Sequence, residues 1–258
     1  MRKGASSIIC KGVEIPILPS VSVRLFTFDN SIRVPNRWLS REQRRRYKSN
    51  SLGILHEPEE EGLFLDALAS LPTGAAYVNI GAAWGYYSLL AKKTRPDLEV
   101  FAIEAHPRMC SMIYEASMIN QIVGISVINS AVVGQNELDG GGMRIKFGYG
   151  ASVSPEDSVE RHASIRVGLI DLAGILESIP NSTIMVSMDV QGSEEGICRD
   201  LANEPEMGNR ISKIIVGTHG TDRHDLCKGM LEKSGFSIEV DDPAPVEQPD
   251  GIILATRD

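Results

Sequence analysis

The sequence predicts a doubly wound α/β fold, a largely parallel sheet covered by helices on both faces. Three observations carry this expectation. From about residue 60, short apolar runs of strand length alternate with helical periods. The first of those strands runs into a glycine turn, Gly81 to Gly85, that opens a helix. The chain then closes on a helix followed by two strands, which brings the sheet to seven.

Taken in order, the first fifty residues hold short β-like runs at 13–18 and 21–28 among Pro, Asn and basic residues, with no helical period. Residues 1–55 are therefore expected to form a β-rich, basic extension, and residues 56–258 the main domain. Residues 59–71 read as a helix: acidic side chains fill its first turn, and Leu63, Leu65 and Leu68 follow. Then come a buried strand at 75–80, the glycine turn, and a helix at 86–93. A second strand at 99–105, a helix at 108–119 and a third strand at 125–133 continue the alternation. Between 134 and 168 the pattern breaks into Gly/Ser-rich turns, which reads as an inserted hairpin and loop of the kind that covers a binding cleft. Alternation resumes with a helix near 169–178, a strand at 183–190, a helix at 193–203, a strand at 213–218 and a helix at 223–234. Strands at 236–240 and 251–256 close the chain.

The 258 residues suffice for one large α/β domain with an appendage, or two small ones. At 42% hydrophobic and 23% charged, the composition is that of an ordinary globular protein. The longest apolar runs, such as 211–216, are too short to span a bilayer, and no stretch near the start is long enough for a signal peptide. Cys10, Cys110, Cys198 and Cys227 lack C-x-x-C spacing. That suggests neither a zinc site nor a disulfide framework, so a reducing cytoplasm is the expected setting. Charge is unevenly spread. Residues 1–50 carry eleven Lys/Arg against three Asp/Glu, although the whole chain stands at −8. The densest run is Arg41, Arg44, Arg45, Arg46 and Lys48. It reads either as an arm for an acidic partner such as a phosphate-bearing substrate, nucleic acid or anionic lipid, or as a solvated helix or an arm docking on the acidic body of this or a neighbouring subunit.

The central motif is Asn79-Ile80-Gly81-Ala82-Ala83-Trp84-Gly85-Tyr86. Its glycines are spaced G-x-x-x-G, looser than the G-x-G-x-x-G that binds a pyrophosphate. Such a turn suits an adenosine-type ligand lacking phosphate, or binds nothing and only joins strand to helix. Glu104, ending the second strand about twenty positions on, is placed to accept hydrogen bonds from ribose hydroxyls.

With these residues, the sequence resembles the FkbM family of S-adenosylmethionine-dependent O-methyltransferases. The resemblance spans roughly residues 56–240 and runs through His56-Glu57-Pro58, the glycine motif, Glu104 with Pro107, Asn129-Ser130-Ala131-Val132 and Ile170-Asp171-Leu172. It is clearest at Met188-Asp189-Val190-Gln191-Gly192-Ser193-Glu194 and at Val216-Gly217-Thr218-His219. It implies the class I methyltransferase sheet, Rossmann-like, with its last strand antiparallel beside the fifth. It implies that Asn79, Gly81, Ala82 and Gly85 surround the methionine part of S-adenosylmethionine, with Tyr86 beside it or in the core. Glu104 would hold the ribose, and Ser130 and Ala131 would lie along the adenine.

The departures fall near the reacting centre. Asn79 stands where the family usually has Asp, Ser187 where it has Lys, Gln191 where it has Glu, and Gly217 where it has Glu. Asp189, Glu194 and His219 remain. Methyl transfer to a hydroxyl profits from a base, worth about 10²–10⁴-fold. His219 is the expected base and Asp189 its orienting carboxylate or a direct substrate contact, with Gln191 and Glu194 lining the substrate side. Asp189, Glu194, His219, Asp222 and His224 could also ligate Mg²⁺ or a transition metal, but their geometry is unfixed and no metal is assigned. Asp222 and His224 are expected to open the following helix instead. The expected acceptor is a small molecule, a sugar or natural-product hydroxyl; that class comes from the resemblance alone. A non-catalytic module that binds the cofactor and a nicotinamide-dependent oxidoreductase are the alternatives. Nucleic acid is disfavoured because only the N-terminal segment is basic. That segment is a candidate contact for a homo-oligomer.

Overall fold

The structure, a computed structural model, describes residues 7–10, 13–16, 23–138, 143–146, 153–155 and 164–257. Two hairpins come first: β1 (Ser7–Cys10) with β2 (Val13–Pro16), and β3 (Leu25–Thr27) with β4 (Arg33–Pro35). The predicted run at 13–18 lies partly outside the described residues, as does the start of that at 21–28. The basic run then forms a helix, as one of its two readings had it: α1 (Arg41–Ser49), opened by a capping box between Ser40 and Gln43. Only Tyr47 of α1 is buried. One apolar side chain in nine residues leaves no hydrophobic period to read, and the S-x-x-Q cap is the surviving sequence signal.

From α2 (Pro58–Ala69) the alternation follows the expectation closely. β5 (Ala76–Ile80), α3 (Tyr86–Thr94), β6 (Glu99–Ile103), α4 (Pro107–Asn120) and β7 (Ile125–Ile128) form the first half. The third strand was expected to run to 133, but it leaves the sheet after Ile128. The Asn129 side-chain amide donates to the carbonyls of Glu104 and Ala105, both at 2.9 Å, and turns the chain away. The next residues, β8 (Ala131–Val132), pair in parallel elsewhere. After the short α5 (Gln135–Leu138), the expected insertion is a three-stranded antiparallel sheet of β9 (Met143–Lys146), β10 (Val153–Pro155) and β11 (Ser164–Val167). β12 (Leu169–Ile170), the partner of β8, leads into α6 (Leu172–Ser178). β13 (Ile184–Met188), α7 (Glu194–Asn203), β14 (Ile211–Thr218), α8 (Thr221–Lys233), β15 (Ser237–Asp242) and β16 (Gly251–Thr256) complete the chain.

The main sheet has seven strands in the order β15-β16-β14-β13-β5-β6-β7. β14, β13, β5, β6 and β7 run parallel, and β16 inserts antiparallel between β14 and β15. This is the class I methyltransferase topology, with the order reversing between β13 and β5, where clefts open at strand C-termini. All five residues of β5 are buried, because both faces of the sheet are covered. Ala76, Val78 and Ile80 pack with Ile175, Leu176, Ile197, Leu201 and Leu231 of α6, α7 and α8. Tyr77, on the other face, packs with Phe64, Leu89 and Trp84. Phe26, Phe28, Ile32, Val34, Leu39 and Tyr47 belong to that same cluster, so residues 26–47 share the core of the main sheet. Among the described residues, no helix is long and apolar enough to cross a membrane.

Candidate functional site

The glycine turn is built around a backbone crossing. Gly81 has φ +79°, and a Cβ there would lie 1.9 Å from the Asp189 carbonyl oxygen, so the ends of β5 and β13 touch only because the side chain is absent. The Gly81 and Ala82 N–H groups both donate to the Ile103 carbonyl, which locks the turn onto β6. Gly85, at φ +90°, starts α3 with Ile113 packed 3.1 Å from where its Cβ would be.

Above this turn lies a cleft of about 450 Å³, the solvent-open space at its mouth included, lined by residues of the glycine turn with His56, Glu57, Glu60, Asn79, Ser187 and Asp189. Asn79 is buried, and both ends of its amide are engaged: Nδ2 donates to Ser88 Oγ at 3.0 Å, while Oδ1 accepts from Ser187 Oγ at 3.4 Å. Ser187 in turn contacts the Tyr77 hydroxyl at 2.5 Å. The position expected to hold Lys thus completes a neutral network beneath the cleft floor. Tyr86 is a core residue whose ring also reaches the cleft wall; its hydroxyl donates to Glu61 and receives Asn30 Nδ2 at 2.7 Å. A buried donor beside the cleft, Trp84 Nε1, has no hydrogen-bond partner among the described residues.

Glu104 sits where expected, at the end of β6, and is buried. Its oxygens accept from the N–H groups of Ala83 (2.8 Å) and His106 (2.7 Å), so it braces the glycine turn. Burial outweighs these bonds and pushes its carboxyl up to about 7. Ser130 and Ala131 follow β7; Ala131 is buried and its N–H donates to the Gly168 carbonyl.

At the other end of the cleft, the chain turns sharply after β13. Gln191 takes φ +53° and Gly192 φ +123°, which brings the start of α7 back toward the sheet edge. His219, just past β14, meets four side chains there. Its Nδ1 lies 2.8 Å from Glu194 Oε1, and its Nε2 lies 2.5 Å from the Gln191 amide nitrogen and 3.3 Å from both Asp189 and Asp250. Glu194 is fully buried and accepts the Gly192 N–H at 2.7 Å, so it orients His219 from behind and does not face the cleft. Asp189 stands on the open side of the imidazole with 44% of its side chain exposed to the cleft. The orienting contact therefore belongs to Glu194, and Gln191 bridges His219 to Asp189 at 3.3 Å from the latter.

The electrostatics follow from this crowding. Burial raises the Asp189 carboxyl to about 7, with the neighbouring Glu57 adding to the effect. Glu57 is likewise raised to about 7 by burial and then by Asp250, and Glu60 is raised well above the carboxylate range by burial and then by Glu57. Burial alone would lower His219, but the Glu194 hydrogen bond and the charges of Asp189, Glu194 and Asp250 outweigh it and raise its pKa. Burial opposes ionisation of Glu194, and the bonds from His219 and backbone N–H groups overcome it, leaving that carboxyl lowered.

Among the described residues, two groups have ligand atoms within 4.8 Å of one another, close enough to hold a metal ion: Asp189, Glu194 and His219, and Glu57, Asp189 and Asp250. Asp222 and His224 stand apart. Asp222 lies in the first turn of α8, and His224 is buried between Thr218 Oγ1 (2.7 Å) and Asp241 (2.9 Å). Glu57, Glu60, Asp250, Trp84 and Tyr87 enter the site without having been singled out for it by sequence. Asp250 reaches it from the loop before β16, some sixty positions beyond Asp189, and only the topology brings them together.

No family model matches the sequence, so the resemblance to FkbM proteins rests on its motifs. Over 81 residues the chain is 33% identical to the Ribosomal RNA small subunit methyltransferase G of Desulfotalea psychrophila, a match covering 30% of this chain and 37% of that protein. Among solved structures, Precorrin-6y C5,15-methyltransferase from Geobacter metallireducens aligns over 81% of this chain and 92% of its own, at 15% identity and a TM-score of 0.49. The METTL16 MTase domain aligns over 76% of this chain and 65% of its own, at 12% identity and a TM-score of 0.48.

Proposed function

We propose that this protein is an S-adenosylmethionine-dependent methyltransferase whose acceptor is a small-molecule hydroxyl. The observation that carries the reading is one cleft, at the switch point of a class I methyltransferase sheet, that joins the Gly81 turn to the Asp189–His219 pair. The likeness over 81 residues to a methyltransferase supports the reaction class, and the motif order supports the O-methyl chemistry of the FkbM family. The groups present fit the cofactor: the buried Trp84 Nε1 beside the cleft lacks a partner, and Glu104 retains lone pairs for ribose hydroxyls.

When bound, S-adenosylmethionine supplies an electrophilic methyl group on a sulfonium. The turn residues Gly81, Ala82 and Gly85 with Asn79 and Tyr86 would border its methionine part, Glu104 its ribose, and Ser130 and Ala131 its adenine. The rest falls to the chain's own acid–base groups. Glu194 keeps the Nδ1–H of His219 pointed at itself, which leaves the Nε2 lone pair toward the cleft, where the Gln191 amide donates to it. An acceptor hydroxyl displacing that amide would give its proton to Nε2. The imidazolium so formed faces Asp189 and Asp250, and those carboxyls favour it. Asp189 can also hold the hydroxyl directly. The buried, free thiols of Cys110, Cys198 and Cys227 suit the cytoplasmic setting proposed with this reading.

A nucleic acid acceptor is the second reading, favoured by the named relative and by exposed Arg41, Arg45 and Lys48 on α1. Retention of labelled RNA on a filter, weakening steeply with salt and lost in Arg41→Ala/Arg45→Ala, would select it. Transfer of a labelled methyl group to a sugar or natural-product hydroxyl, abolished in His219→Ala, is the test of the first.

A further inference from the structure

We infer that Glu57 and Glu60 supply the counter-charge for the α-ammonium of the cofactor's amino-acid end, while Trp84 Nε1 donates to its carboxylate. The inference rests on the methyltransferase reading and concerns how this chain manages without an acidic residue at position 79.

Asn79 is not equipped for that role. Its amide carries no charge and already bonds Ser88 and Ser187. Glu57 and Glu60 line the same cleft at 8% and 7% exposure, and among the described residues neither has a Lys or Arg within ion-pair distance. His56 lies 3.7 Å from Glu57 but is held neutral, since burial lowers its pKa to about 3. Buried carboxylates without a cation are costly, and burial raises both, with Asp250 adding to the effect on Glu57 and Glu57 to that on Glu60. Around Glu57 stand Asp250, the Tyr87 hydroxyl, Arg46 and His219, and around Glu60 stand Glu57, Asp189, the same Tyr87 hydroxyl and Asp250, so the balance at the cleft is acidic.

The same cleft has the opposite deficit at Trp84. Trp84 is 2% exposed, and its Nε1 donor has no acceptor among the described residues. A zwitterionic amino-acid group supplies both missing partners at once: an ammonium for the carboxylates and a carboxylate for the Trp84 donor. Trp84, Tyr86 and Tyr87 line the same cleft, and aromatic rings favour an ammonium over a neutral group.

The test compares S-adenosylhomocysteine with 5′-methylthioadenosine, which share the adenosine and thioether and differ in the amino-acid end. By titration calorimetry, the native protein should prefer the former by about 100-fold or more, given two or more charge-assisted hydrogen bonds. Glu57→Gln and Glu60→Gln should each cut the preference by about tenfold, wholly through weaker S-adenosylhomocysteine binding. Trp84→Phe should do the same through the carboxylate. Adding Asn79→Asp to Glu60→Gln should restore the preference by returning the charge. Unaltered 5′-methylthioadenosine affinity in each variant shows that the cleft is intact. Equal wild-type affinity for the two ligands, or a preference unchanged in the Glu57→Gln/Glu60→Gln double variant, overturns the inference and leaves the methyltransferase reading standing. Failure of both ligands to bind the native protein overturns both.

Discussion

Replacing Gly81 with alanine puts a carbon 1.9 Å from the Asp189 carbonyl oxygen and 2.8 Å from its carbon, at a φ of +79°. The left-handed conformation costs an alanine about 1–2 kcal/mol. The overlap adds about 1–3 kcal/mol, because the partner is strand-end backbone that can move only by parting β5 from β13. A domain of this size loses about 2–4 °C of Tm per kcal/mol, so the variant should melt roughly 5–20 °C below the native protein. The same displacement moves Asp189 relative to His219, so methyl transfer should fall with it. Gly229→Ala is the control: Gly229 lies inside α8 with nothing within 4 Å of where a methyl group would stand, and alanine there should gain about 0.5–1 kcal/mol. Melting followed by circular dichroism reads both. A Gly81→Ala protein melting within about 2 °C of native would refute the crossing as the reason for the glycine.

His219→Asn should lower kcat by about 10²–10⁴-fold with S-adenosylhomocysteine affinity retained, as calorimetry and single-turnover assays would show together. Glu194→Gln removes the bond that raises His219, so the acidic limb of the kcat–pH profile should move to lower pH; a limb that stays in place removes Glu194 from the role of orienting group. Glu57, Asp189 and Glu104 have carboxyls raised to about 7, so the folded chain holds those protons more tightly than the unfolded one. Their contribution to stability is complete below the ordinary carboxylate pKa of about 4 and is lost as pH rises toward about 7. The Tm of the ligand-free protein should therefore fall between about pH 4 and 7, and less so in Asp189→Asn. Phe28→Ala, emptying a site 1% exposed between Trp84, Tyr86 and Tyr47, should cost about 3–5 kcal/mol in denaturant unfolding; a cost near zero would detach residues 26–47 from the core.

The parallel strands were legible because both their faces are covered, so β5, β13 and β14 appear as continuous apolar runs bounded by turns. The glycine turn was legible because a strand, two glycines and a helix start follow one another within eight residues. α1 was legible only as one reading of its basic run, because it offers the core a single tyrosine. The partition of roles around His219 was hidden for a different reason. Asp189, Gln191 and Glu194 are near neighbours in sequence, and which one faces the imidazole depends on the left-handed turn at Gln191–Gly192. Asp250 joins them only because β16 inserts antiparallel beside β14, which carries its preceding loop to the cleft.

The measurement that bears most directly on the account is calorimetric titration of the purified protein with S-adenosylmethionine, S-adenosylhomocysteine and NADH, with Glu104→Ala alongside. The account predicts micromolar binding of the first two, weakened in the variant, and none of NADH. Binding of NADH alone, or of none of the three, would contradict it.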